Sequence, residues 1–317
     1  MKGFAIALAV SISVAMTLPA SPARATYPGH NGRIAFGFDP GDGLDIYTVL
    51  PDWSGLTRLT DETDAALHPD WSPDASKIVF EEAPVGTTDA CRVMLMDADG
   101  SNVVDLTRNH HCDSDPSFTP SGRRVIFLAQ GGYVVKTMDL TGHDRHTLFH
   151  RGDLFKHNPT MSPNGHKILF LVEKDIPGGN RKGLAIAHRD GTNLRMIVPF
   201  RYDVSVRGGD WAPDGHRIAF TSEAGPTPVP GEPSNLFTIR PDGTGLRQLT
   251  HYRSPDIRVR IGTCSYSSNG RWILFKGSNL RNPYFIKRIH PDGSGLMRVA
   301  KLDGPAVGAV DWGPAPA

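Results

Sequence analysis

The chain of 317 residues carries 34 Lys+Arg against 33 Asp+Glu, a net charge of +1, with 39% hydrophobic residues. This neutral balance excludes nucleic acid or an anionic lipid surface as the main partner. Gly 34 and Pro 26 fit a chain that turns often.

Residues 1–25 read as a secretory signal. Lys2 supplies the positive start, Phe4 to Leu18 is almost wholly apolar or small, and Ala23-Arg24-Ala25 fits the cleavage pattern. The apolar run is too short to span a bilayer comfortably, and no later segment could cross one. Export to the periplasm, the cell envelope or the medium is therefore expected. Residues 26–317 are expected to form a single domain.

One short phrase then recurs. Asn31-Gly32-Arg33-Ile34-Ala35-Phe36 is a truncated first copy. Trp71-Ser72-Pro73-Asp74 leads into Lys77-Ile78-Val79-Phe80, and Phe118-Thr119-Pro120-Ser121-Gly122 into Val125-Ile126-Phe127. Met161-Ser162-Pro163-Asn164-Gly165 precedes Ile168-Leu169-Phe170, and Trp211-Ala212-Pro213-Asp214-Gly215 precedes Arg217-Ile218-Ala219-Phe220. Tyr266-Ser267-Ser268-Asn269-Gly270 precedes Trp272-Ile273-Leu274-Phe275. The closing phenylalanines stand at 36, 80, 127, 170, 220 and 275. A period of that size, with several short strands per repeat, predicts an all-β, six-bladed β-propeller of four-stranded antiparallel blades.

The fifth repeat shows how a blade forms. Asp210-Trp211 is a short strand A, and Ala212-Pro213-Asp214-Gly215 a tight turn. Residues His216 to Thr221 form strand B, Asn235 to Arg240 strand C, and Gly245 to Thr250 strand D. Asp242-Gly243 is the C–D hairpin, repeated at Asp99-Gly100, Thr141-Gly142, Asp190-Gly191 and Asp292-Gly293. Strand D ends in Leu-Thr at 59–60, 106–107 and 249–250. The first repeat lacks strand A, whereas Val310-Asp311-Trp312 reproduces one at the C-terminus. The C-terminal strand near Ala309–Trp312 is therefore expected to complete the first blade and close the ring.

These phrases, with Asp45-Ile46-Tyr47 and Leu56 to Thr60, resemble the TolB-like β-propeller repeats, a WD-repeat-like family. The resemblance covers nearly all of residues 26–317 and implies fold far more specifically than function. A few similar propellers are pectin-fragment lyases that use a histidine-bound divalent metal.

Strand alternation puts the short A–B and C–D turns on one face and the longer B–C and D–A loops, with Lys174–Lys182 among the B–C loops, on the other. Recognition belongs on the second, funnel face. Candidate binding residues there are His68, His111, Asp113, Asp115, His157, Arg207, Arg258 and Arg260. His68, His111 and His157 could aim at one point and hold a divalent cation. Exposed loop histidines with no joint role are the alternative. Cys91 and Cys112 lie at one blade junction on this face and are expected to pair, two free thiols being the alternative. Cys264 is left as a buried thiol.

No Gly-x-Ser-x-Gly, phosphate-binding glycine loop or His-Glu-x-x-His occurs, so no catalytic residue is assigned. The sequence points to an exported, non-catalytic binding or scaffold propeller. It is expected to be a monomer without a resident cofactor, recognising a protein or cell-envelope component. The alternative is a metal-dependent lyase or hydrolase acting on acidic oligosaccharides, with Arg258 and Arg260 binding carboxylates.

Overall fold

A computed structural model describes residues 29–61, 64–84, 90–108, 111–150, 154–176, 179–200, 206–222, 234–253, 260–279, 284–301 and 306–316. The proposed leader and Arg258 lie outside them. All 24 elements are strands, arranged as six four-stranded antiparallel sheets. Blade 1 holds β1 (Asn31–Asp39), β2 (Asp45–Val49) and β3 (Thr57–Arg58). Blade 2 holds β4 (Ala65–Trp71), β5 (Lys77–Ala83), β6 (Arg92–Asp97) and β7 (Val104–Asp105). Blade 3 holds β8 (Ser114–Phe118), β9 (Arg124–Ala129), β10 (Val134–Asp139) and β11 (His146–His150). Blade 4 holds β12 (Phe155–Met161), β13 (Lys167–Ile176), β14 (Gly179–His188) and β15 (Arg195–Val198). Blade 5 holds β16 (Val206–Trp211), β17 (Ile218–Ser222), β18 (Asn235–Ile239) and β19 (Arg247–Gln248). Blade 6 holds β20 (Arg260–Tyr266), β21 (Ile273–Ser278), β22 (Phe285–Ile289) and β23 (Met297–Lys301). The last strand, β24 (Ala306–Pro314), pairs with β1 and is the innermost strand of blade 1, as the sequence predicted.

The apolar runs of strand B follow from the ring. Successive side chains of a strand point to opposite faces, and here each face meets a different neighbouring blade. Ile34 and Phe36 pack towards blade 6, while Ala35 packs towards blade 2. The core is therefore divided into six clusters, one per seam between adjacent blades. Trp71, Phe118, Met161, Trp211, Tyr266 and Trp312 fill equivalent slots, and none is more than 7% exposed.

The recurring polar residues lock the ladders. In the A–B turns a glycine takes the left-handed conformation at Gly122, Gly165, Gly215 and Gly270, with φ between 67° and 70°. In blade 2, Ala75 occupies that slot with φ 59°. The Leu-Thr endings also have a physical reason. The hydroxyls of Thr60, Thr107 and Thr250 accept from the Ile46, Val93 and Leu236 N–H groups at 2.9, 3.2 and 2.9 Å. Each bond ties the end of strand D to the start of strand C.

Three sequence expectations are corrected. Residues 174–182, read as a B–C loop, instead extend β13 and β14 into a long hairpin in register to Ile176↔Gly179. Strand A is longer than the two residues expected: β4, β12 and β20 each have seven. Strand D is shorter, only Arg247–Gln248 in blade 5. The inner strands gain partners from the neighbouring blades, whereas the outer edge meets water and a long exposed edge is a liability.

Candidate functional site

The six inner strands surround a central channel with a cavity of about 90 Å³. Two layers of side chains line it. The layer nearer the loop face contains His68, Asp115 and Asn158, each directly followed by a proline. Their φ values are 48°, 48° and 47°, and Gly208 fills the corresponding place in blade 5 with φ 61°. Each stands at a register shift in its inner strand, a β-bulge. Proline removes a ladder donor and is tolerated there because the innermost strand has no further partner on its channel side. The bulge re-aims the preceding side chain.

That re-aiming builds a chain of contacts across three blades. The His68 Nδ1 lies 2.9 Å from Glu81 Oε2 and 3.2 Å from Asp115 Oδ1. The Asp115 backbone N–H donates to Glu81 Oε2 at 3.0 Å. Asn158 donates its backbone N–H and its side-chain amide to the two Asp115 carboxylate oxygens, each at 3.1 Å. Burial disfavours charge on His68, but Asp115 and Glu81 outweigh it and raise its pKa to about 9. The same contacts hold the Glu81 carboxyl below its ordinary value despite burial.

The deeper layer contains Asp70, Asp210 and Asp311. Each accepts the backbone N–H of the aromatic residue in the next blade: Phe118 at 2.7 Å, Tyr266 at 2.6 Å and Trp71 at 2.9 Å. Burial, followed by the charges of Asp311 and Asp210, pushes Asp70 well above the usual carboxylate range, against the bonds from Phe118 and Ser117. Asp311 is also raised by burial, opposed by the bonds it accepts. Carboxylates at both depths thus staple one inner strand to the next.

Around the mouth, His157 Nε2 lies 2.7 Å from Glu173 Oε2, which also receives Lys182 Nζ at 3.0 Å. Burial and then Lys182 lower the His157 pKa. Across the channel, burial and the nearby Arg207 charge lower Lys276 to about 8.

The histidine triad read from the sequence does not converge. His68 joins Glu81 and Asp115, His157 joins Glu173 and Lys182, and His111 is an exposed residue beside Cys112. The reason is local: His68 stands at the bulge, whereas His157 is one residue before it and turns to its own blade. Asp113 is 2% exposed, Arg207 is exposed on the rim, and Arg260 begins β20. Cys91 and Cys112 form a disulfide with Cα atoms 4.1 Å apart, and Cys264 is a buried free thiol.

Sequence reading missed Glu81 and Lys276, which sit inside apolar strands and look like ladder residues. It also missed the repeated x-Pro step at 68–69, 115–116 and 158–159, a signal that was legible.

The family model for the TolB beta propeller domain matches residues 20–211, more than half of the chain. An uncharacterised protein of Agrobacterium fabrum is 32% identical over 143 residues, covering 40% of this chain and 47% of that one. The Tol-Pal system protein TolB of Anaeromyxobacter dehalogenans is 28% identical over 171 residues, covering 52% of this chain and 36% of that one. The chain thus spans less than half the length of these curated relatives. Among solved structures, TolB from Acinetobacter baumannii superposes with a TM-score of 0.69 at 19% identity, over 89% of this chain and 67% of that one.

Proposed function

The chain belongs to the TolB beta propeller domain family, and from that premise we propose that it is an exported, non-catalytic binding or scaffold protein. It recognises a protein or cell-envelope component with the loop face around the channel mouth, as a monomer. The observation that carries this reading is the saturation of the channel. His68, Glu81, Asp115 and Asn158 are engaged with one another, in a cavity of about 90 Å³. Pockets that enclose small molecules run from about 300 Å³ upwards. A rigid disc with a polar rim and a long β13–β14 hairpin suits a macromolecular partner better than an enclosed substrate. Among the described residues no helix is long and apolar enough to cross a membrane.

Capture from envelope extracts on immobilised protein tests the proposal. Lys174→Glu and Arg207→Glu on the loop face should abolish retention of the captured partner, while Asp190→Lys on the turn face should not. Retention lost only with Asp190→Lys would move the interface to the other face and refute the assignment.

One observation favours a second reading, the metal-dependent lyase or hydrolase of acidic oligosaccharides. Ligand-capable atoms of His68, Glu81 and Asp115 all lie within 4.8 Å of one another. As they stand these donors do not fit a divalent metal: His68 favours the imidazolium, which cannot ligate, and Asp115 holds Asn158 with both oxygens. Metal analysis of chelator-free protein decides between the readings. A stoichiometric metal lost in His68→Ala would favour the enzyme.

A further inference from the structure

We propose that the cleft between blades 4 and 5 on the turn face, opposite the channel mouth, is a binding pocket for a carboxylate group. The cleft has a volume of about 470 Å³, within the range of small-molecule sites. Its walls are the A–B turns of the two blades with Pro163, Pro213 and Pro241, and Trp211 closes one side.

One cationic repeat position is handled differently in blade 4. The residue opening strand B is Arg33, Lys77, Arg124, Lys167 and Arg217 in blades 1 to 5. Four of these cations are satisfied within their own blade. Arg33 donates to the Thr48 hydroxyl at 3.0 Å and to the Gly55 carbonyl. Lys77 pairs with Asp97 at 2.5 Å. Arg124 pairs with Asp144 and donates to Thr137, and Arg217 donates to the Thr238 hydroxyl at 3.1 Å and the Gly245 carbonyl at 2.6 Å.

Blade 4 has lost these acceptors. Ile186 stands opposite Leu169 where blades 1, 3 and 5 place Thr48, Thr137 and Thr238, and His188 stands opposite Lys167 where blade 2 places Asp97. Among the described residues the half-buried Lys167 ammonium has no hydrogen-bond or ion-pair partner. A half-buried cation without a partner keeps part of its desolvation penalty, and an incoming anion would remove it.

The neighbours narrow the ligand class. The Asn164 Oδ1 already accepts from the Ser162 hydroxyl at 2.8 Å and the His166 N–H at 3.1 Å. Its amide NH₂ is therefore left to donate. One ammonium and one planar amide suit a monoanionic carboxylate. Asp214 on the opposite lip disfavours a dianion such as phosphate. Its carboxylate accepts the His216 N–H at 2.9 Å, an acceptor role that asparagine fills in blade 4. The proline walls would take the apolar remainder of the ligand.

The test is a chemical-shift titration of the isotopically labelled protein with butyrate, with its neutral methyl ester as the control. Butyrate should give saturable shifts at the Gly215 and His216 amides, and the ester none. Lys167→Gln should weaken binding at least about tenfold, the scale of one charge-assisted hydrogen bond. Asp214→Asn should tighten it about threefold by removing a like charge. Lys77→Gln, which alters an already paired cation, should leave it unchanged. No saturable shift, an equal response to the ester, or full binding by Lys167→Gln would overturn the proposal. Weaker binding by Asp214→Asn would do the same.

Discussion

Replacing Trp312 by alanine should unzip the seam that closes the ring. Trp312 is 2% exposed and packs among Ile34, Phe36 and Val49 of its own blade and Leu274 and Ile286 of blade 6. Its indole N–H donates to the Gly32 carbonyl at 3.3 Å, and its backbone N–H to the Ser265 hydroxyl at 3.1 Å. Truncating a buried tryptophan costs about 3–5 kcal/mol through lost transfer energy and the cavity left behind. For a chain of this size each kcal/mol lowers the midpoint by roughly 2–4 °C. A loss of about 4 kcal/mol therefore predicts a Tm lower by roughly 8–16 °C. Thermal unfolding followed by circular dichroism reads this directly, with Leu56→Ala as the control because Leu56 is 52% exposed. Removing residues 303–317 should cost more still, because it deletes the whole β24–β1 ladder. A Trp312→Ala midpoint within about 2 °C of the parent would refute closure by the C-terminal strand, since that shift corresponds to only about 1 kcal/mol.

Three further outcomes follow from the turns and the channel. Ala75→Gly should raise the Tm by roughly 1–3 °C, because left-handed strain on alanine slightly exceeds the entropy cost of glycine; a lower Tm would show that Ala75 is not strained. Asp70→Asn should stabilise the protein at neutral pH. The amide oxygen can still accept from Phe118 while repulsion with Asp311 and Asp210 disappears; a lower Tm at pH 7 would contradict this. The His68 contribution should vary with pH in a defined direction. Its folded pKa of about 9 lies above the ordinary 6.5, so its stabilisation is complete below about 6.5 and fades as pH rises to 9. The Tm difference between the parent and His68→Gln should shrink over that window, and an imidazole titrating by NMR at or below 6.5 would disprove the pairing.

The fold was legible because its rules are local and repeated. A left-handed glycine after Pro-Asp, an alternating apolar strand and a threonine closing strand D recur in register, and each has a backbone reason visible in composition. The seam was legible too, since a missing strand A at one end matched a surplus one at the other. Blade 4 was misread for an equally physical reason. Residues Lys174 to Lys182 carry charges and a Pro-Gly-Gly step, the marks of a loop, yet their backbones pair as far as Ile176↔Gly179. Pairing depends on what lies across the ladder, which local composition does not reveal.

The channel was harder to read, since its character depends on one-residue differences in direction. His68 and His157 are both histidines entering an inner strand, and sequence alone gives no reason to treat them differently. The x-Pro bulge sends His68 into the channel and leaves His157, one position earlier, with Glu173 on its own blade. Once that step is seen, the acids around the channel change meaning. Asp70, Asp115, Asp210 and Asp311 each accept backbone N–H groups from the next blade. They act as ring staples, and the innermost strands need them because those strands have no ladder partner on the channel side. Charges already satisfied within the ring hold the disc together, whereas Lys167, the one strand-B cation in blades 1 to 5 left without an acceptor among the described residues, stands where a ligand could supply it.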